Sequence, residues 1–157
     1  MRRILVAVDE THASREAART AVEYAERLGA RLTFLHVLPR RVSDDWGKGD
    51  APEFAAFERA CAREAQRMVE DACRLTGMSR PEADTRVCYG EPVEALCLAA
   101  EDPDVDLVIT GTRERGTLAR ALLGSVAGQL VSRCCKPVLV VPERHGRPEP
   151  ETGPLPG

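Results

Sequence analysis

Residues 105–142 read VDLVITGTRERGTLARALLGSVAGQLVSRCCKPVLVVP. Val105–Thr110 is an apolar run of strand length, and glycines at 111 and 116 break it. Val126, Ala127, Leu130, Val131 and Cys134 then recur at helical spacing. Pro137 and Pro142 fence a second apolar run, Val138–Val141. Strand, glycine-bearing loop, helix and strand is the grammar of a parallel crossover unit.

The same grammar extends towards the N-terminus. Arg3–Val8 (RILVAV) is nearly continuous in its apolar character, as a central parallel strand covered on both faces requires. Asp9, Thr11 and Ser14 supply helix-start chemistry. Ala17, Ala18, Ala21, Val22, Ala25 and Leu28 mark the buried face of the helix that follows, which Gly29 ends. Arg31–Leu38 (RLTFLHVL) reads as the second strand, stopped by Pro39, and residues 39–51 read as a long loop. Phe54, Phe57, Cys61, Ala65, Met68, Ala72 and Leu75 predict an amphipathic helix whose outer face is charged with both signs, and Gly77 closes it. Ala83–Tyr89 is a third, weaker strand. Gly90-Glu91-Pro92 turns into a short helix over Val93–Ala100, with Pro92 suited to its first position. Strands alternating with helices predict an α/β fold: one doubly wound, five-stranded parallel sheet with helices on both faces.

The 157 residues suit one domain, placed at 1–142, with a Pro/Gly-rich tail at 143–157 expected to be disordered. Hydrophobic residues make up 43% and charged residues 30%, a globular balance. A net charge of −3 argues against nucleic-acid partners. The longest apolar runs are far short of the ~20 residues a membrane helix needs, which argues against a membrane association. Too few apolar residues follow Met1-Arg2-Arg3 for a signal sequence, so a cytoplasmic location is expected. The six cysteines (61, 73, 88, 97, 134 and 135) show no metal-ligand spacing and are expected to be reduced, without structural disulfide or metal. The adjacent Cys134 and Cys135 are the pair to watch for oxidation chemistry.

In such sheets, ligands bind beyond the C-terminal ends of strands where the strand order reverses. The candidate loops are Asp9–Ser14 and Gly111–Ser125. The first has no glycine, which excludes the dinucleotide and Walker phosphate loops at their usual place. No nucleophile elbow or Ser/His/Asp set stands out, so no catalytic residue is assigned and an enzyme is not expected. His36 lies inside a strand and reads as a satisfied core residue. The fourth loop has ligand chemistry. Gly111, Gly116 and Gly124 allow close backbone approach to an anion. Ser125 reads as a helix N-cap beside the positive end of the helix, and Arg113 adds a bidentate phosphate donor. Asp9 would face this loop across the crevice, its carboxylate accepting from ribose hydroxyls or a base amino group.

The segment 111–142 and the start ILVAVDETHASREAARTAVEYA resemble the universal stress protein family. The shared features are Asp9, Leu35-His36-Val37, Gly90-Glu91-Pro92, Asp106–Ile109 before Gly111, and Leu122–Val126. The resemblance spans about residues 2–142 and implies a Rossmann-like sheet of order 3-2-1-4-5. It implies that Asp9 and Val37 flank an adenosine, that Gly111, Arg113, Gly116, Gly124, Ser125 and Val126 line the phosphate region, and that ATP brings Mg²⁺ with it. Family members that bind nucleotide carry G-x2-G-x9-G-[ST]; here its middle glycine is replaced by Glu114. At an effective dielectric near 20, a like charge about 5 Å from a phosphate costs on the order of 3 kcal/mol. A second departure is Gly128, where many relatives complete a capping box with Glu. The resulting expectation is a stress-response sensor or adaptor that binds adenine nucleotide weakly. The alternative is a nucleotide-free member, impaired by Glu114, working through contacts with an unknown protein partner. A homodimer through the edge strand Val138–Val141 is expected in either case.

Overall fold

The computed structural model describes residues 1–9, 11–38, 52–112 and 125–143. Its elements are β1 (Arg3–Val8), α1 (His12–Leu28), β2 (Arg31–Leu38), α2 (Pro52–Thr76), β3 (Ala83–Tyr89), α3 (Pro92–Ala100), β4 (Val105–Thr112), α4 (Ser125–Arg133) and β5 (Val138–Pro142). All neighbouring strands pair in parallel, in the order β3-β2-β1-β4-β5, as the resemblance implies.

β1 is the central strand, and its alternation explains its continuous apolar run. Ile4, Val6 and Val8 point to one face, where α1 and α2 cover them with Ala17, Ala21, Val22, Met68 and Val69. Leu5 points to the other, where Val93 and Leu96 of α3 and Leu130 of α4 close over it. Local chemistry sets the helix ends. Thr11 caps α1 by accepting from the Ser14 N–H at 3.3 Å, and Gly29 ends that helix with φ of 63°. Glu91 caps α3 by accepting from the Glu94 N–H at 3.1 Å, and Pro92 takes the first helical position.

Several expectations differ from the structure. Leu28, counted on the buried face of α1, is 45% exposed at the helix end, beyond Ala25 where the covered face stops. Leu75 is 71% exposed although the helical register counted it as buried, while Val69 is 1% exposed and takes its place. Cys61, Ala65, Met68, Val69 and Ala72 define the stripe, and at 100° per residue Leu75 falls on its rim. Val131 is 52% exposed for the same reason, lying past the stripe that Ala127 and Leu130 define. β4 runs two residues beyond Thr110, so Gly111 belongs to the strand and pairs with Val141 instead of opening the loop. α4 begins at Ser125 itself, one residue ahead of the start that a capping Ser125 requires. The expected loop at 39–51 lies outside the described residues, as does the expected tail at 143–157 apart from Glu143, whose N–H donates to the Thr112 carbonyl.

Candidate functional site

The strand order reverses at β1, with β2 on one side and β4 on the other. A crevice of about 140 Å³ opens beyond the C-terminal ends of these strands, between the β1–α1 turn and α3 and α4. Its apolar wall is Ala7, Leu35, Val37, Leu96 and Val126. Asp9, Thr11, Ser14 and Thr110 supply its polar groups.

The turn after β1 is a closed hydrogen-bond circuit. Asp9 Oδ1 accepts from the Thr11 N–H at 2.8 Å and from the Thr11 hydroxyl. The Asp9 N–H donates to Ser14 Oγ at 3.1 Å, and the Ser14 N–H returns to Thr11 Oγ1. This is an Asx turn fused to a helix cap, and it fixes the carboxylate at the lip of the crevice. Asp9 is exposed, and no described residue donates a hydrogen bond to its second oxygen. A charged acceptor thus stands beside an apolar slot without spending its full capacity on the fold.

The structure brings Asp9, Val37, Gly111 and Val126 together around this crevice. Ser125 starts the helix that carries Val126. Arg113, Glu114, Gly116 and Gly124 lie outside the described residues, so of the expected phosphate region only Gly111, Ser125 and Val126 are described. The sequence reading missed Ala7, Leu35, Pro92 and Leu96. Their signals were present: Leu35 and Val37 share a strand face, and Pro92 and Leu96 are four apart on one helix. Gly111 carries a second constraint. A Cβ placed there would lie 2.6 Å from the carbonyl carbon of Ala13 and closer still to its oxygen. The first turn of α1 therefore needs a bare backbone at 111, whatever the crevice holds.

His36 differs from the satisfied core histidine expected of it. It is half-buried, and its Nε2 is shut from solvent without a hydrogen-bond partner among the described residues. Alternation along β2 turns it to the opposite face from Leu35 and Val37. Burial lowers its pKa from the ordinary 6.5, against the opposing pull of Glu64 and Asp9. The folded protein therefore binds this proton less readily than the unfolded chain. Its contribution is intact above pH 6.5 and is lost as pH falls from there through the lowered folded value. We expect urea midpoints to fall between about pH 7.5 and 5.5, and His36→Gln to remove part of that fall. An identical pH dependence in the variant would assign the acid sensitivity elsewhere.

A universal stress protein family model matches residues 1–142. A Thermus aquaticus protein described as a universal stress protein is 33% identical over 138 residues, covering 88% of this chain and 96% of that one. Among solved structures, universal stress protein UspA from Lactobacillus plantarum is 27% identical with a TM-score of 0.64, covering 88% of this chain and 96% of that one. A universal stress protein solved in complex with cAMP is 26% identical with a TM-score of 0.66, covering 89% and 96%. Among the described residues, no helix is long and apolar enough to cross a membrane.

Proposed function

Because the chain belongs to the universal stress protein family, we propose that its crevice at the sheet's switch point binds an adenine nucleotide, and that it works as a cytosolic sensor or adaptor without turning over a metabolite. The observation that carries this reading is the pairing of an apolar slot with the Asp9 carboxylate at its lip. The slot suits a flat base beside Val37, Leu35 and Leu96, and the free carboxylate oxygen suits ribose hydroxyls. A relative bound to cAMP supports adenine as the base. The described walls enclose less than the roughly 300–1,000 Å³ usual for ligand sites, so they take the adenosine end. The phosphates, with the Mg²⁺ that accompanies ATP, are left to the segment from Gly111 to Val126.

Glu114 favours a second reading, in which this member works without nucleotide through protein contacts. Calorimetric titration with Mg·ATP separates the two. Wild type should bind weakly, and Glu114→Gly should bind about tenfold tighter, a difference of about 1.4 kcal/mol. Glu114→Gln keeps the bulk and drops the charge, so it recovers most of the gain if repulsion is the cause. No binding in any of the three proteins would sink the nucleotide reading.

We also propose that β5 pairs with a second copy of the chain. It lies at the sheet edge beside β4, is short and apolar, and its Val138, Leu139 and Val140 are only half-buried. Such an edge is a template for pairing. Light scattering at micromolar concentration should give twice 17.1 kDa; a single-chain mass would overturn the dimer.

A further inference from the structure

Of the polar side chains in the crevice, Asp9, Thr11 and Ser14 belong to the hydrogen-bond circuit that starts α1. Thr110 of β4 takes no part in it. Thr110 is 4% exposed and lines the crevice among Ala7, Leu35, Val37, Leu96 and Val126, all of them apolar. Among the described residues its hydroxyl makes one hydrogen bond, a donation to the Gly111 carbonyl oxygen at 3.4 Å. The usual separation between two oxygens is about 2.7–2.8 Å, so this bond is weak. A carbonyl can only accept. The hydroxyl proton is therefore committed there, and the lone pairs of Thr110 Oγ1 stay open. A hydroxyl buried with so poor a partner costs stability, and valine would fill the same volume in a strand without that cost.

The sheet register places this hydroxyl at the floor of the slot. Ala7 pairs with Leu35 of β2 on one side. On the other side Val6 pairs with Ile109 of β4, so Thr110 stands next to Ala7 one residue further on. Leu35, Ala7 and Thr110 form one row across β2, β1 and β4, with the smallest side chain in the middle, and all three line the crevice. The row lies two residues before Asp9 along the strand direction, roughly 6–7 Å below the lip. A nucleotide with its sugar at Asp9 therefore lays its base on this row. We propose that Thr110 is a specificity-determining residue of the crevice: its Oγ1 accepts a hydrogen bond from the exocyclic amino group of the base, and the ligand class it selects is a 6-aminopurine nucleotide. The inference rests on the nucleotide reading of the crevice. An acceptor at the floor calls for a donor on the ligand, and the amino group is the only N–H donor on the adenine of a nucleotide. A 6-oxopurine turns an acceptor to the same place, and Thr110 can answer it only by withdrawing its proton from Gly111.

The test compares AMP with purine riboside 5′-monophosphate, which lacks only the amino group, by NMR titration of the isotope-labelled full chain. Wild type should bind AMP about 3- to 10-fold more tightly, the worth of one neutral hydrogen bond. Thr110→Val should bind the two alike, and Thr110→Ser, which keeps the hydroxyl, should keep the preference. Thr33 provides the control. Alternation along β2 puts it on the same face as Leu35 and Val37. It is buried, its Oγ1 has no partner among the described residues, and it is not part of the crevice wall. Thr33→Val and Thr110→Val should both raise the thermal midpoint, since each replaces a poorly paired hydroxyl with a methyl group. Thr33→Val should nevertheless leave the preference for AMP as in wild type. The spectrum of each variant before titration reports its fold. Equal binding of the two nucleotides by wild type, or an unchanged preference in Thr110→Val, overturns the role of Thr110 and leaves the nucleotide reading in place. No binding of AMP by wild type removes that reading and this one with it.

Discussion

Gly111→Ala is expected to cost the fold about 3 kcal/mol, at the upper end of what overpacking a tight site costs. The added methyl would meet the backbone of Ala13 at the first turn of α1, with the carbonyl carbon 2.6 Å away. A flexible side chain could swing aside, but this neighbour is main chain, held by the cap at Thr11 and by Ser14. Relief requires α1 to lift from β4, which would open the interface that buries Ala13 and Ala17. Gly29→Ala provides the contrast. Gly29 has φ of 63° but nothing within 4 Å of its missing Cβ. Its substitution pays only the left-handed backbone cost, roughly 1–2 kcal/mol. Chemical denaturation should rank the variants accordingly, with Gly111→Ala the less stable. For a chain of this size its thermal midpoint should drop by roughly 6–12 °C. If Gly111→Ala unfolds at the wild-type midpoint, the close approach of α1 to β4 is wrong. The experiment also tests a point of interpretation: a glycine at the mouth of a ligand crevice is readily credited to the ligand, yet here the helix demands it first.

How much the sequence disclosed followed from how local each signal was. Arg3–Val8 was legible to the residue because a strand buried on both faces leaves an uninterrupted apolar run, and Arg31–Leu38 because its largely apolar run is bounded by Gly29 before it and Pro39 after it. Gly29 and Pro92 fixed helix ends because their backbone requirements are intrinsic. The rims of the helices were less legible. Leu75 and Val131 have the right residue type, but a 3–4 count does not say where the covering sheet stops. Asp9, Val37, Gly111 and Val126 were named as candidates through position and resemblance, and they line one crevice. Leu35 and Leu96 were passed over because an apolar residue in a strand or helix looks the same whether it faces the core or a ligand slot.

Asp9→Asn is expected to weaken adenine-nucleotide binding by about 10- to 100-fold while leaving the fold intact, because the charged hydrogen bond it removes is worth about 1.5–3 kcal/mol. The two oxygens of Asp9 have separable duties. Oδ1 holds the turn by accepting from the Thr11 N–H and hydroxyl. An asparagine oxygen can do the same, so the Asx turn and the start of α1 survive the substitution. The other oxygen, which no described residue engages, is replaced by an amide group that donates instead of accepts. A ribose hydroxyl that gave its proton to the carboxylate loses a charged acceptor. Asp9→Ala differs, since it also removes the turn and should lower stability by about 1 kcal/mol, the usual cost of losing a cap. The ribose assignment can be isolated with a 2′-deoxynucleotide. Wild type should prefer the ribonucleotide, and Asp9→Asn should discriminate far less between the two, since side chain and hydroxyl then act as one coupled pair. An unchanged preference in the variant would show that Asp9 serves the turn alone and that some other group reads the sugar. Equal binding of both nucleotides by wild type would remove the ribose contact from the proposal while leaving the apolar slot for the base.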